Sequence, residues 1–304
     1  MYRKHYRLQE LPFTITPDTS FFFAHTSHQE ALNTLLVAVR SGEGFIKVVG
    51  EVGTGKTLLC RKFLNALDPQ EFISAFLPNP YLEPRSLLMA VAEEFGLMMD
   101  PFTEQHQLLR QLSCLLIDNY AAGKRAVLCL DEAQAIPVET LESLRLLTNL
   151  ETERRKLLQV VLFGQPELDE KLSQPRVRQL RQRITFSGRL RPFEMHETDF
   201  YLAHRLSVAG HRGPRLFSPE AVRQLHRAAG GIPRLINIIA HKAMLAAFGE
   251  GSRSVQAGHV QTAIADTESL NQSGSFAHRL LRYVGLGVAG VLLSAGLVLW
   301  GGMA

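Results

Sequence analysis

Cysteine is scarce in this sequence, three among 304 residues. Cys60, Cys114 and Cys129 stand in apolar helix-like or strand-like contexts without metal-ligand spacing. That argues against a disulfide framework and a zinc site, and the three are expected to be buried thiols of a reducing compartment. No apolar run follows the opening Met1-Tyr-Arg-Lys-His-Tyr-Arg7, so no secretory signal is read there. Acidic residues are missing from Pro175 to Pro192, and charge of either sign is missing from Val284 to Ala304. No internal repeat is present. A composition of 46% hydrophobic and 20% charged residues excludes a disordered chain, and a net charge of +4 is too mild to call for nucleic acid by itself.

The uncharged tail is long enough to matter. About 20 helical residues at about 1.5 Å each cross a bilayer core of about 30 Å. A span over residues 284–303 is therefore expected, after a polar linker at 269–283. Arg279 and Arg282 precede it and no basic residue follows, so the positive-inside rule keeps the chain before the span in the cytoplasm. Small residues at Gly285/Ala289 and Gly290/Ser294 carry a spacing that lets helices approach closely.

Ahead of the tail, short apolar strands alternate with amphipathic helices, the pattern of a parallel sheet covered on both faces. Strands are expected at 45–49, 72–77, 126–130, 157–163 and 184–190, and helices at 57–67, 83–97, 103–122 and 138–150. From His196 the pattern is all-helical, with helices at 196–209, 219–229, 233–248 and 255–267. The expected division is a linker and first helix (1–40), an α/β nucleotide domain (41–192) and a small helical lid (193–268).

Gly50-Glu51-Val52-Gly53-Thr54-Gly55-Lys56-Thr57 is a complete G-x-x-x-x-G-K-[ST] loop between the first strand and a helix. Glycines let successive N–H groups face one point, and the helix N-terminus adds its positive dipole end. Lys56 would reach the β- and γ-phosphates of ATP, and the Thr57 hydroxyl would ligate Mg²⁺. Ala126-Val-Leu-Cys-Leu-Asp131-Glu132 is an apolar strand that ends in two carboxylates. Asp131 is expected in the Mg²⁺ shell, with Glu132 orienting or deprotonating the attacking water. Gln165, just past the fourth strand, is placed to hydrogen-bond that water or the γ-phosphate.

Positive charge on the γ-phosphate side would complete such a site. Arg176, Arg178, Arg181, Arg183, Arg189 and Arg191 supply one candidate set. Arg183, just before the last strand, is the best candidate for a finger inserted into a neighbouring subunit, although the same run could be a solvated basic face. Gly230-Gly231-Ile232-Pro233-Arg234 is the second feature: Pro starts a helix and Arg234 falls in its first turn.

Together these elements resemble an AAA+ P-loop NTPase. Phe13-Thr-Ile-Thr-Pro17-Asp18, the phosphate loop and Phe163-Gly164-Gln165-Pro166-Glu167-Leu168 narrow the resemblance to the ExeA/GspA secretion ATPases and the MSHA-pilus ATPase MshM, over roughly residues 5–268. That resemblance implies a homo-oligomer (ring or filament), ATP hydrolysis between subunits, and work with the assembly proteins of a type IV pilus or type II secretion machine at the bacterial inner membrane. Secretion members carry a peptidoglycan-binding domain beyond the span. The end at Ala304 argues against direct peptidoglycan binding and favours the pilus type. In the family the residue at Gln165 is often Asn, Ser or Thr, and Asn79 stands where a polar residue often couples to Glu132. A different reading is an ATP-switched DNA-binding protein of the transposition-helper type. The tail, and the lack of a helix-turn-helix or a basic tail, argue against nucleic acid.

Overall fold

A computed structural model describes residues 2–147 and 156–267. The expected span at 284–303 and its linker lie outside the described residues. Among the described residues no helix is long and apolar enough to cross a membrane.

The fold is an α/β P-loop NTPase fold. The elements run α1 (Thr26–Ser41), β1 (Phe45–Gly50), α2 (Lys56–Asn65), β2 (Phe72–Leu77), α3 (Pro84–Glu94), α4 (Gln105–Ala121), β3 (Arg125–Leu130), α5 (Val138–Leu147) and β4 (Leu158–Gly164). Then follow α6 (Glu167–Leu172), α7 (Arg178–Arg181), β5 (Ile184–Leu190), α8 (Met195–Val208), α9 (Pro219–Ala229), α10 (Pro233–Gly249) and α11 (Ala257–Ala265).

The five strands form one sheet in the order β2-β3-β4-β1-β5, with every pairing parallel. Parallel strands need long crossovers that place helices over the faces, so the inner strands are apolar on both sides. Alternation then sorts the side chains. Leu128, Leu130, Val160 and Leu162 pack with Leu88 and Val91 of α3, Leu112 of α4 and Leu141 of α5. Val127, Cys129, Val161 and Phe163 pack on the other face with Leu35 of α1 and Leu59 and Phe63 of α2. β5 is an edge, buried only at Leu190 and half-open along the rest.

Two compact units divide the chain differently from the expected boundary at 192/193. Among the described residues the first holds 14–208 and 231–234; the second holds 2–13, 209–230 and 235–267. α8 thus groups with the sheet. Its Tyr201 packs edge-on against Phe23 and at a tilt on Phe193, and the Arg205 guanidinium lies 4.4 Å from the centre of the Phe21 ring. The opening residues group with the helices of the other unit. There the Tyr2 hydroxyl meets His241 Nδ1 at 2.9 Å, Phe13 packs on Phe217 and the Gln9 N–H donates to the Ala209 carbonyl. In that unit Ser218 caps α9 through the Ala221 N–H, with Pro219 at the first helical position.

Cys60 and Cys129 are buried as expected, but Cys114 is exposed. It lies on the outward side of α4, whose inward stripe is Leu108, Leu112 and Leu116. An apolar helix context does not fix which side of the stripe a residue occupies.

Candidate active site at the carboxyl edge of the sheet

β1 leads directly into the loop Gly50–Thr57, and α2 begins at Lys56. The loop is pinned from several sides. The Thr54 hydroxyl donates to the Glu51 carbonyl at 2.8 Å, and Lys56 Nζ donates to the carbonyls of Gly50 and Glu51 at 2.8 and 3.0 Å. Burial pulls the Lys56 ammonium below its usual range, against the opposing pull of Glu132, Asp131 and Glu51. Thr54 and Lys56 are buried, whereas Glu51 and Val52 are exposed.

β3 and β1 are separated in the sheet by β4, yet their ends meet. Thr57 Oγ1 donates to Asp131 Oδ2 at 2.5 Å. Burial raises the Asp131 carboxyl, partly countered by hydrogen bonds from Thr57 and the Glu132 N–H. Glu132 follows in the left-handed region at φ +50. Gln134 Nε2 and Gln165 Nε2 both donate to its Oε2, at 2.5 and 3.0 Å. Burial pushes the Glu132 carboxyl up; those two amides and Lys56 outweigh it, so the net shift is down.

Gly231 to Arg234 approach the phosphate loop. The Arg234 N–H donates to the Gly53 carbonyl at 3.2 Å. A Cβ on Gly53, whose φ is +82, would lie 2.7 Å from Arg234 Cβ. Gly231, at φ +73, is pressed on Phe193, whose N–H donates to its carbonyl at 2.8 Å. The arginine expected on the nucleotide side is thus set beside the loop by main-chain contact.

Arg183 is not brought to this loop. The β1/β5 register pairs Phe45 with Ile184 and Gly50 with Leu190, so Arg183 sits at the opposite end of β5, roughly 20 Å away along a strand rising about 3.3 Å per residue. Of the other arginines, Arg191 forms a two-point pair with Glu197 at 3.0 and 2.9 Å. Arg189 reaches Asp169 at 3.8 Å and Arg176 reaches Glu139 at 3.6 Å. The run is therefore partly neutralised, which weakens it as a phosphate-backbone surface. Asn79 leaves β2 two residues past Leu77, which pairs with Leu130 two residues before Glu132, and its Oδ1 accepts the Tyr81 N–H at 3.3 Å, as a turn residue before proline does.

Two groups of residues escaped the sequence reading. One is Gln134, which follows the carboxylate pair after Ala133. The other is a pair of histidines, His25 at the N-cap of α1 and His28 in its first turn. His28 Nε2 donates to the Thr54 carbonyl at 2.8 Å, and burial presses its pKa down to about 4. His25 pairs with Glu197. Burial raises that carboxyl, but Arg191, the Glu194 N–H and His25 bring it to about 2. Two histidines three apart at a helix start are the signal that could have marked them.

Thr57 and Asp131 offer a hydroxyl and a carboxylate, hard oxygen ligands of the type Mg²⁺ takes alongside phosphate and water. Among the described residues no cluster of three or more His, Cys, Asp or Glu could hold a metal alone.

Comparison with known proteins agrees with this geometry. Residues 39–172 match the AAA domain family. The chain is 43% identical to the general secretion pathway protein A of Aeromonas hydrophila over 97% of its own length, and it spans about half, 53%, of that relative. Among solved structures, the Aeropyrum pernix ORC2 protein in ADPNP–ADP complexes superposes with a TM-score of 0.59 at 17% identity, over 82% of this chain and 72% of that one. The Aeropyrum pernix ORC1 protein in complex with DNA gives 0.59 at 21% identity, over 84% and 69%. At these identities the two structures speak to the fold.

Proposed function

We propose that this chain is a membrane-tethered AAA+ ATPase that binds and hydrolyses Mg·ATP in support of a type II secretion or type IV (MSHA-like) pilus assembly machine. One observation carries the enzymatic part: Thr57 and Asp131 touch across the sheet edge, with Lys56 and Glu132 on either side. The secretion relative supports the assembly role. The uncharged run from Val284 supports the tether.

In this reading the loop N–H groups and Lys56 take the phosphates, with Lys56 exchanging its carbonyl partners for phosphate oxygens. Thr57 and Asp131 would hold Mg²⁺, which neutralises charge on the β- and γ-phosphates when bound. Glu132 accepts a proton from water as the water oxygen bonds to the γ-phosphorus and the bond to the β–γ bridging oxygen breaks, giving ADP and phosphate. Gln165 and Arg234 serve the γ-phosphate side from β4 and from the helix start. Arg183 serves the site of an adjoining copy in a homo-oligomer.

The first test separates binding from chemistry. Glu132→Gln should bind a fluorescent ATP analogue with wild-type affinity while kcat falls by at least about a hundredfold, the scale of a lost general base. Lys56→Ala should lose binding itself. Hydrolysis by Glu132→Gln at the wild-type rate would sink the catalytic assignment.

A further inference from the structure

We propose that Gln134 is a positioning residue for hydrolysis, fixing the rotation of the Glu132 carboxylate and the main chain that carries Gln165. The proposal rests on the ATPase reading above.

The orientation of the Gln134 amide follows from its partners. Its Oε1 accepts the Gln165 N–H at 3.0 Å, so its Nε2 is the end that meets Glu132 Oε2 at 2.5 Å. Gln165 Nε2 donates to the same oxygen at 3.0 Å. Two donors converging on Oε2 set the carboxylate plane, and with it the direction in which Oε1 points. Gln134 thus joins the end of β3 to the end of β4 with both halves of one amide.

The main chain around it needs such a hold. Glu132 stands at φ +50 without being glycine, a conformation that persists only where its surroundings over-determine it. Lys171 of α6 donates to the carbonyls of Gln134 and Ile136 at 2.5 and 2.7 Å, closing the turn after the carboxylate pair. Asparagine, one methylene shorter, would not reach both partners. The hydrogen bonds of Gln134 run to Glu132, Gln165 and Lys171, none of them in the phosphate loop, which separates its role from substrate binding.

The test uses the full chain with Gln134→Leu. The kcat should fall about ten- to a hundredfold, as when the partner that orients a reacting group is removed. KM for Mg·ATP should stay within about twofold, since the residue acts on the chemical step. In nucleotide-free protein, deuterium exchange at the Gln165 amide should quicken. Adding Gln134→Leu to Glu132→Gln should cost less than about twofold more, because the two act as one unit. Gln134→Glu, nearly isosteric, replaces the donor by a like charge and should show the same loss if the leucine variant folds poorly. Unchanged kcat in both variants, or full additivity with Glu132→Gln, would overturn the proposal. A wild-type chain with no hydrolysis sensitive to Lys56→Ala would instead overturn the ATPase reading, and the Gln165 exchange would still test the clamp.

Discussion

His28 shows how one side chain can set both a loop and a pH limit. It is neutral near pH 7, since burial presses its pKa to about 4 against the hydrogen bond to the Thr54 carbonyl, with His25 adding to the drop and Glu197 opposing it. The unfolded chain takes up that proton near pH 6.5, so the contribution to stability is complete above about 6.5 and lost as pH falls toward about 4. Full loss amounts to about 3 kcal/mol as a ceiling. His204, His226 and His241 are also pushed down by burial and add to the slope in the same direction. Melting temperatures between pH 7.5 and 4.5 should fall for the natural chain and fall less for His28→Phe, which keeps a ring but cannot titrate. Equal slopes would remove His28 from the account. The same variant, without the Thr54 contact, should bind nucleotide more weakly. At this scale the sequence was half legible. Lys56, Thr57, Asp131 and Glu132 announce themselves because phosphate chemistry demands those types at that spacing. Gln134 and His28 do not, because their roles are made by distant carbonyls and amides that only the fold brings near.

Elements were more legible than their junctions. The expected strands at 72–77 and 184–190 match β2 and β5, since continuous or alternating apolar runs bounded by turns leave little choice. α6 and α7 were missed: six and four residues are too short for a helical period to register. Gly231 marks a junction where two segments meet without room. A Cβ there would lie 2.2 Å from the Phe193 carbonyl oxygen at φ +73, whereas Gly42 at φ +81 has nothing within 4 Å. Gly42→Ala should therefore cost about 1 kcal/mol, the strain of a left-handed alanine alone. Gly231→Ala adds a steric clash to that strain and should cost at least about 2–3 kcal/mol in urea unfolding. It should also weaken nucleotide binding, since Arg234 follows directly. Equal costs at the two glycines would deny the close approach.

At the scale of the whole molecule, the site is incomplete in one copy if Arg183 is the finger. Specific ATPase activity should then rise with protein concentration. Arg183→Ala should be inactive alone, and mixing it with Lys56→Ala should restore part of the activity, because one variant supplies the loop and the other the arginine. Failure of rescue at every ratio would argue against a residue given in trans. The unit boundary was the least legible feature of all. A change from strands to helices near residue 192 is visible in composition, but which helix packs with the sheet is decided by Tyr201, Arg205 and their aromatic partners.

The strand order has a temporal side. β1 carries the phosphate loop, yet among the described residues its neighbours are β4 and β5, the last two of the five strands in chain order. Until Leu190 has been made, the loop has no finished sheet to rest on, and pairings so far apart along the chain are slow to form. A nascent chain that ends before β4 would already hold every residue from Gly50 to Glu132, and still have no seat for the nucleotide.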